Sequence, residues 1–209
     1  MATDATATGP LAVRPLDGHR DRLAAAGGPD IRLEIIEPKA ILNLRGRADD
    51  PGFADAMRNT LGLDLPIEPN RCRSTTAEGD DAAQIIYWLG PDEWLVMAAA
   101  GTEAALEAAL RAARPEDPWL SVVDVSHNLT GLRLGGTSAR DVLASGCPLD
   151  LHPRVFDVDH CAQTVLAKSR ILLRQVSVEP AFEIWVRNSF ARYLADWLLD
   201  AMELRDTAA

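Results

Sequence analysis

The chain is poor in several features that would narrow its function at once. No window approaches the eighteen or so uninterrupted apolar residues of a membrane-crossing helix, so none is expected. Cysteine is scarce: Cys72, Cys147 and Cys161 make an odd number, which predicts reduced thiols in a cytoplasmic protein rather than a disulfide framework. Positive charge is short, with a formal net charge of −10. Nucleic acid and anionic membrane surfaces both require clustered Lys and Arg, so neither is expected as a partner. The opening MATDATATGP has no Lys or Arg and resembles neither a secretory signal nor a basic transit peptide. No dinucleotide fingerprint occurs, and no P-loop lysine.

What is present is an ordinary globular composition with a regular alternation of strand and helix signals. Residues 1–30 read as a partly disordered N-terminal arm, with one short Ala-rich piece between Pro and Gly positions. Ile31, Leu33 and Ile35 alternate with charged residues, as in a half-buried strand, and Ala40, Leu42 and Leu44 continue after Pro38. Asp50-Pro51 is an N-cap followed by proline at the first helical position; Phe53, Met57 and Leu61 then line one face until Gly62. Strands are expected at 72–76, 85–89 and 94–97, with Glu78-Gly79-Asp80-Asp81 a polar loop. A helix capped by Thr102 ends at Arg114-Pro115, and Asp117-Pro118 reads as the joint between halves. Beyond it, strands are expected at 122–125, 129–134, 161–168, 171–176 and 183–186. Ser138 should cap a helix stopped by Gly146; Ser189 should cap a last one with Phe190, Leu194, Trp197, Leu198 and Ala201 on its apolar stripe.

The segment 122–152 packs strand, strand, Gly-Gly turn, capped helix and glycine stop, and 41–66 reads as a faded copy. Asn43-Leu44-Arg45-Gly46 is laid against Leu132-Arg133-Leu134-Gly135, and Arg71-Cys72-Arg73-Ser74-Thr75 against His160-Cys161-Ala162-Gln163-Thr164. The expected fold is therefore α+β: two duplicated split-βαβ-like subdomains, 31–116 and 117–205, with antiparallel or mixed sheets, helices on one face of each, together one globular unit.

Candidate chemistry is weaker than this framework. Asp124, Ser126 and His127 invite a catalytic reading, but no strained nucleophile turn accompanies them and a polar strand end explains them. Cys147, His152, His160 and Cys161 match no usual metal-ligand spacing, and Cys72 and Cys161 read as small buried residues at equivalent strand starts. Gly135-Gly136-Thr137-Ser138 could hold an anion on free N–H groups, or be a plain turn and cap. Among Trp88, Trp94, Trp119, Trp185 and Trp197, core filling is the default and an exposed one would suit an interface.

Asp124-Val125-Ser126, Leu132-Arg133-Leu134-Gly135-Gly136, Ala139-Arg140-Asp141-Val142-Leu143, Cys161-Ala162-Gln163-Thr164 and the ending Phe182-Glu183-Ile184-Trp185-Val186-Arg187, with Phe190-Ala191-Arg192-Tyr193-Leu194, resemble the gamma subunit of heterotetrameric sarcosine oxidase. More remotely the chain resembles the folate-binding part of the glycine-cleavage aminomethyltransferases. The resemblance implies an aminomethyltransferase folate-binding-domain-like fold and a cytoplasmic oxidoreductase complex. Its partners would be alpha, beta and delta subunits, and FAD, FMN, NAD and tetrahydrofolate would lie on those other subunits. Where aminomethyltransferases carry an acidic pair, this chain has Ala82 and Ala83, with Asp80 and Asp81 about two positions out of register. Ala98 replaces an expected asparagine, and residues 174–179 replace the segment whose acid contacts folate. An alanine has no proton to exchange, so the expectation is a non-catalytic assembly subunit with no catalytic or metal residues and no assigned cofactor contacts. The alternatives are a folate-binding aminomethyltransferase-like enzyme using Asp80, Asp81 or Glu179, and a stand-alone binding protein of the same fold, whose characteristic loop Cys161-Ala162-Gln163 faintly matches.

Overall fold

A computed structural model describes residues 14–75, 84–114, 116–117 and 119–206. The loop acids Glu78, Asp80 and Asp81, the alanines Ala82 and Ala83, and Pro115 and Pro118 lie outside the described residues. The elements in order are α1 (Arg20–Ala25), β1 (Arg32–Ile36), β2 (Lys39–Arg45), α2 (Pro51–Leu61), β3 (Cys72–Ser74), β4 (Ile85–Gly90), β5 (Glu93–Ala99), α3 (Glu103–Ala113), β6 (Ser121–Asp124), β7 (Leu129–Gly135), α4 (Ala139–Ala144), β8 (Cys161–Leu166), β9 (Ser169–Ser177), β10 (Ala181–Arg187) and α5 (Ala191–Asp206).

The strands form two five-stranded sheets. Sheet 1 runs β3-β4-β5-β2-β6 and sheet 2 runs β8-β9-β10-β7-β1. Read in that order the two lists are equivalent position by position, which gives the duplication structural form. The last member is exchanged. β1, the first strand of 31–116, pairs antiparallel with β7, and β6, the first strand of 117–205, pairs antiparallel with β2. Each half thus lends its opening strand to the sheet built by the other, so neither sheet is contiguous in the chain. All named pairings are antiparallel.

Register corrects the sequence alignment of the halves. Leu42 and Leu44 sit opposite Val96 and Trp94, while Leu132 and Leu134 sit opposite Ile184 and Phe182. Leu44 therefore corresponds to Leu134, and Asn43-Leu44-Arg45-Gly46 answers Arg133-Leu134-Gly135-Gly136, one residue on from the alignment read in the sequence. The difference matters because a one-residue slip exchanges the faces of a strand. The equivalence of Cys72 and Cys161 stands: Cys72 N–H donates to Asp159 O and Cys161 N–H to Asn70 O, both at 2.9 Å. Asn70 and Asp159 are also both left-handed, with φ of 62° and 65°.

The sheets pack inner face to inner face, and helices cover both outer faces. Over sheet 1, Phe53, Met57 and Leu61 of α2 and Leu110 of α3 pack on Leu42, Leu44, Ile86, Trp94 and Val96. Over sheet 2, Val142 and Leu143 of α4 and Leu194, Leu198 and Met202 of α5 pack on Leu132, Leu134, Leu173, Phe182 and Ile184. Between the sheets lie Ile36, Ile41, Cys72, Ile85, Tyr87, Leu95, Met97, Cys161, Leu172 and Trp185. The N-terminal segment is part of this packing: Leu16 and Leu23 are buried in the sheet-2 core, and Arg192 Nε donates to Pro15 O at 2.9 Å.

Local punctuation worked unevenly. Asp50 accepts from Gly52 N–H at 2.9 Å and Gly62 closes α2 at φ 70°, as its sequence signals predict. Thr102 and Ser138 occupy N-cap positions, but their hydroxyls accept no helix N–H; Thr102 Oγ1 donates to Ala99 O instead. Gly146 follows a right-handed C-cap, Ser145, and is required by close approach: a Cβ there would lie 2.6 Å from the Trp197 ring. Ser189 sits within a 3-10 turn, Asn188–Phe190, ahead of α5. Phe190, expected on the apolar stripe, is exposed, and Ala191, Ala195, Leu199 and Met202 join the buried face instead.

Candidate functional site

The layer between the sheets holds a buried charge network and an open groove. On the inner face of sheet 2 one rung reads Cys161, Arg174, Glu183, Arg133 and Glu34 across β8, β9, β10, β7 and β1. Arginine and glutamate alternate, so each charge has an opposite one across the strand gap. Arg133 donates to Glu183 Oε1 at 3.0 Å, and Arg174 lies 3.6 Å from Glu183 Oε2 and 3.5 Å from Asp159. Tyr87, reaching from sheet 1, donates its hydroxyl to Glu183 Oε2 at 3.1 Å. Arg174 and Glu183 are almost fully buried. Burial alone would weaken the Arg174 guanidinium as a cation, but Tyr87, Cys72, Glu183 and Asp159 around it win and raise its pKa. Burial, then the Glu183 carboxylate, pushes the Tyr87 hydroxyl well above its ordinary value.

Beside this network Cys72 and Cys161 meet. Cys72 Sγ donates to Asp159 O at 3.3 Å and Cys161 Sγ to Arg71 O at 3.2 Å. The neighbouring Cys161 thiol and then burial push the Cys72 thiol up, so it is held protonated and inert. Both cysteines are free.

At the other end of the same layer the sheets part, leaving an open groove of about 810 Å³. Its floor is apolar, with Leu95, Leu172 and Trp185, and its polar contributions come from Asn43, Gln163, Glu93, Arg170 and Arg187. Glu93 is engaged: it accepts from Asn43 at 2.8 Å and lies 3.8 Å from Arg45. Gln163 donates to Leu89 O at 3.0 Å. The size is within the usual range of ligand clefts, but no pair of free acid and base lines this one.

The sequence candidates are dispersed. Ser126 accepts from Ile41 N–H at 2.9 Å and donates to Asp124 Oδ1 at 2.5 Å, which ties β6 to β2; those Ser126 hydrogen bonds lower the Asp124 pKa. His127 O accepts from Asn188 Nδ2 at 2.6 Å. Cys147 belongs to the outer core of sheet 2, and His152 accepts from Arg154 N–H in a turn. His160 Nδ1 faces Asp157 and the Arg71 guanidinium. Among the described residues no three His, Cys, Asp or Glu are grouped to hold a metal ion. The N–H groups of the Gly-Gly turn are used within the chain: Gly136 donates to Pro180 O at 2.8 Å and Ser138 to Asp30 O at 3.1 Å. Glu179 is exposed in the β9–β10 turn. Of the tryptophans, Trp94 is fully buried, with Nε1 donating to Pro66 O at 2.8 Å, and Trp119 is 63% exposed.

Sequence reasoning missed the inward role of half-buried Arg133 and of buried Arg174 and Glu183. The signal was present, since Arg133 lies between Leu132 and Leu134 and Glu183 between Phe182 and Ile184. Alternation of this kind reads as a solvent face unless a second sheet is known to cover it.

Comparison with known proteins agrees with this architecture. Residues 45–203 match the sarcosine oxidase, gamma subunit family. Sarcosine oxidase subunit gamma of Corynebacterium sp. (strain P-1) is 38% identical over 172 residues, covering 82% of this chain and 80% of that one. A chain of the heterotetrameric sarcosine oxidase from Corynebacterium sp. U-96, solved in complex with pyrrole 2-carboxylate, superposes with a TM-score of 0.81 at 31% identity, over 92% of this chain and 95% of the other. The glycine cleavage system aminomethyltransferase T of Bartonella henselae shares the fold, with a TM-score of 0.62 at 19% identity over 85% of this chain and 48% of that one. With most of its length matched in sequence and in shape, the chain belongs to the sarcosine oxidase gamma subunit family.

Proposed function

We propose that this chain is the gamma subunit of a heterotetrameric sarcosine oxidase in the cytoplasm, and that it contributes assembly rather than chemistry. In this reading alpha, beta and delta subunits are its partners. They carry FAD, FMN, NAD and tetrahydrofolate and perform the oxidative demethylation of sarcosine to glycine, and this chain has no catalytic residue. The reading is supported most by the likeness, along nearly the whole chain, to a chain of the heterotetrameric enzyme. The use of buried charge supports it further. Glu183 is held by Arg133, Arg174 and Tyr87, and Glu93 by Asn43 and Arg45, so these carboxylates brace strands instead of awaiting a substrate proton.

Co-expression with alpha, beta and delta subunits tests this. The expected result is one complex containing this chain, with sarcosine oxidase activity confined to preparations that include the flavin-bearing subunits. Elution of this chain alone, beside a fully assembled and active remainder, overturns the reading. Titration calorimetry of the isolated chain with tetrahydrofolate is expected to give no binding heat; tight binding would favour a folate-dependent aminomethyltransferase instead.

A further inference from the structure

The groove between the sheets has a feature that the fold does not explain. On sheet 2, Val165 pairs with Arg170 across β8 and β9, and Val186 pairs with Ile171 across β9 and β10. Arg187 and Arg170 are the residues next beyond this last pair on the two strands, and both line the groove. Two like charges opposed across neighbouring strands destabilise a sheet. Both arginines are exposed, and neither has an ion-pair or hydrogen-bond partner among the described residues. This occurs in a chain with a net charge of −10, where the other arginines on this face of β7 and β9, Arg133 and Arg174, both face Glu183. The groove walls end in β6 and β8, each the edge strand of its sheet, and their inward valines stay uncovered: Val123 is 49% and Val165 41% exposed.

We infer that the groove receives an extended, acidic segment of a partner subunit, whose carboxylates sit on Arg170 and Arg187 and whose apolar side chains cover Val123 and Val165. Guanidinium groups side by side suit carboxylates, which they bind through paired N–H groups. An edge strand suits an added extended chain, which supplies main-chain hydrogen bonds while alternate side chains enter the cleft; Arg111 already donates to Val122 O on β6 and Cys161 N–H to Asn70 O on β8, so the added chain would lie beyond these points. Edge strands left open in this way also invite aggregation, and a partner segment would remove that liability. The inference rests on the gamma-subunit reading, because it takes the occupant from the same assembly.

The test uses the full chain co-expressed with alpha, beta and delta subunits. Arg170→Glu with Arg187→Glu is expected to weaken retention of this chain in the complex at least tenfold, and Arg170→Lys with Arg187→Lys to keep most of it. The melting temperature of the isolated chain should not fall in Arg187→Gln, because one of two opposed charges is gone. A photo-crosslinking residue at Val123 or Val165 should label one Asp- or Glu-containing peptide of a partner, and one at Ile67, which is also exposed, should not label that peptide. Undiminished retention of the double glutamate variant in a complex that forms normally overturns the inference and leaves the gamma-subunit reading standing, as does the absence of cross-links from both valines. Native mass spectrometry showing a small acid in the groove, lost in the double variant, overturns it in favour of a metabolite site. Failure of the wild-type chain to join any complex removes both.

Discussion

Two equivalent rungs face each other across the middle of the molecule. Sheet 1 presents Cys72, Tyr87, Leu95, Asn43 and Val123; sheet 2 presents Cys161, Arg174, Glu183, Arg133 and Glu34. The cysteines have stayed alike at the contact between halves. Every other position has moved from neutral to charged. The rung beside them differs by exchange of volume: Ile41 opposite Met97 in sheet 1 becomes Gly131 opposite Trp185 in sheet 2. A Cβ on Gly131 would lie 2.7 Å from the Trp185 ring, so the tryptophan uses the space that the missing side chain leaves. The backbone is duplicated and the filling is not, which is why the repeat is faint in sequence and plain in strand order.

The sharpest way to break this comparison is at Glu183. Glu183→Gln leaves Arg133 and Arg174 without their shared carboxylate, and urea unfolding should show a loss of about 3–5 kcal/mol. Arg133→Asn, Glu183→Leu and Arg174→Tyr made together copy the sheet-1 rung and should recover most of that loss, because a neutral rung replaces a buried ion network. A triple variant no more stable than Glu183→Gln would show that the two rungs are not interchangeable.

Next come the equivalent glycines Gly46 and Gly136. A Cβ on Gly46 would enter the Phe53 ring at 2.2 Å, and one on Gly136, at φ 115°, would meet Asp30 O at 2.3 Å. Gly46→Ala and Gly136→Ala should each cost roughly 1–3 kcal/mol in the same assay, the first by overpacking and the second by backbone strain added to the clash. Unchanged stability with alanine at either position would contradict the close approach described there.

Acid should then reveal where the charges stabilise. The ordinary pKa of Asp is 3.8, and both Asp124 and Asp157 are held below it. Ser126 hydrogen bonds lower Asp124; at Asp157, His160 and Arg71 overcome a desolvation that acts the other way. A carboxylate depressed on folding stabilises above its unfolded value, and that contribution is lost as pH falls through the folded one. Tryptophan fluorescence should show stability falling below about pH 4, with a shallower fall in Asp124→Asn. The smallest contrast lies in the caps: Asp50→Ala should lower the urea midpoint, whereas Ser138→Ala should leave it unchanged, since only Asp50 accepts a helix N–H.

Much of the framework was legible because its signals are local. Asp50, Pro51 and Gly62 set the ends of α2 through their own backbone chemistry, and Phe53, Met57 and Leu61 mark its buried face. The exchange of β1 and β6 was not legible, since pairing between distant strands leaves no mark in either segment. The charged rung was hidden for a related reason. With the inner face of sheet 2 covered by sheet 1, alternation at Arg133 and Glu183 no longer distinguishes solvent from interior. The groove was hidden too, because Arg170 and Arg187 reach the same cleft only through the pairing of β9 with β10.

The central claim is that this duplicated scaffold works as a subunit. Native mass spectrometry of the co-expressed complex, with sarcosine oxidation followed in the same sample, tests it most directly. One copy of this chain beside one each of three partners, with loss of the intact assembly when it is omitted, is the predicted result. An intact and fully active three-subunit complex formed without it would contradict the claim.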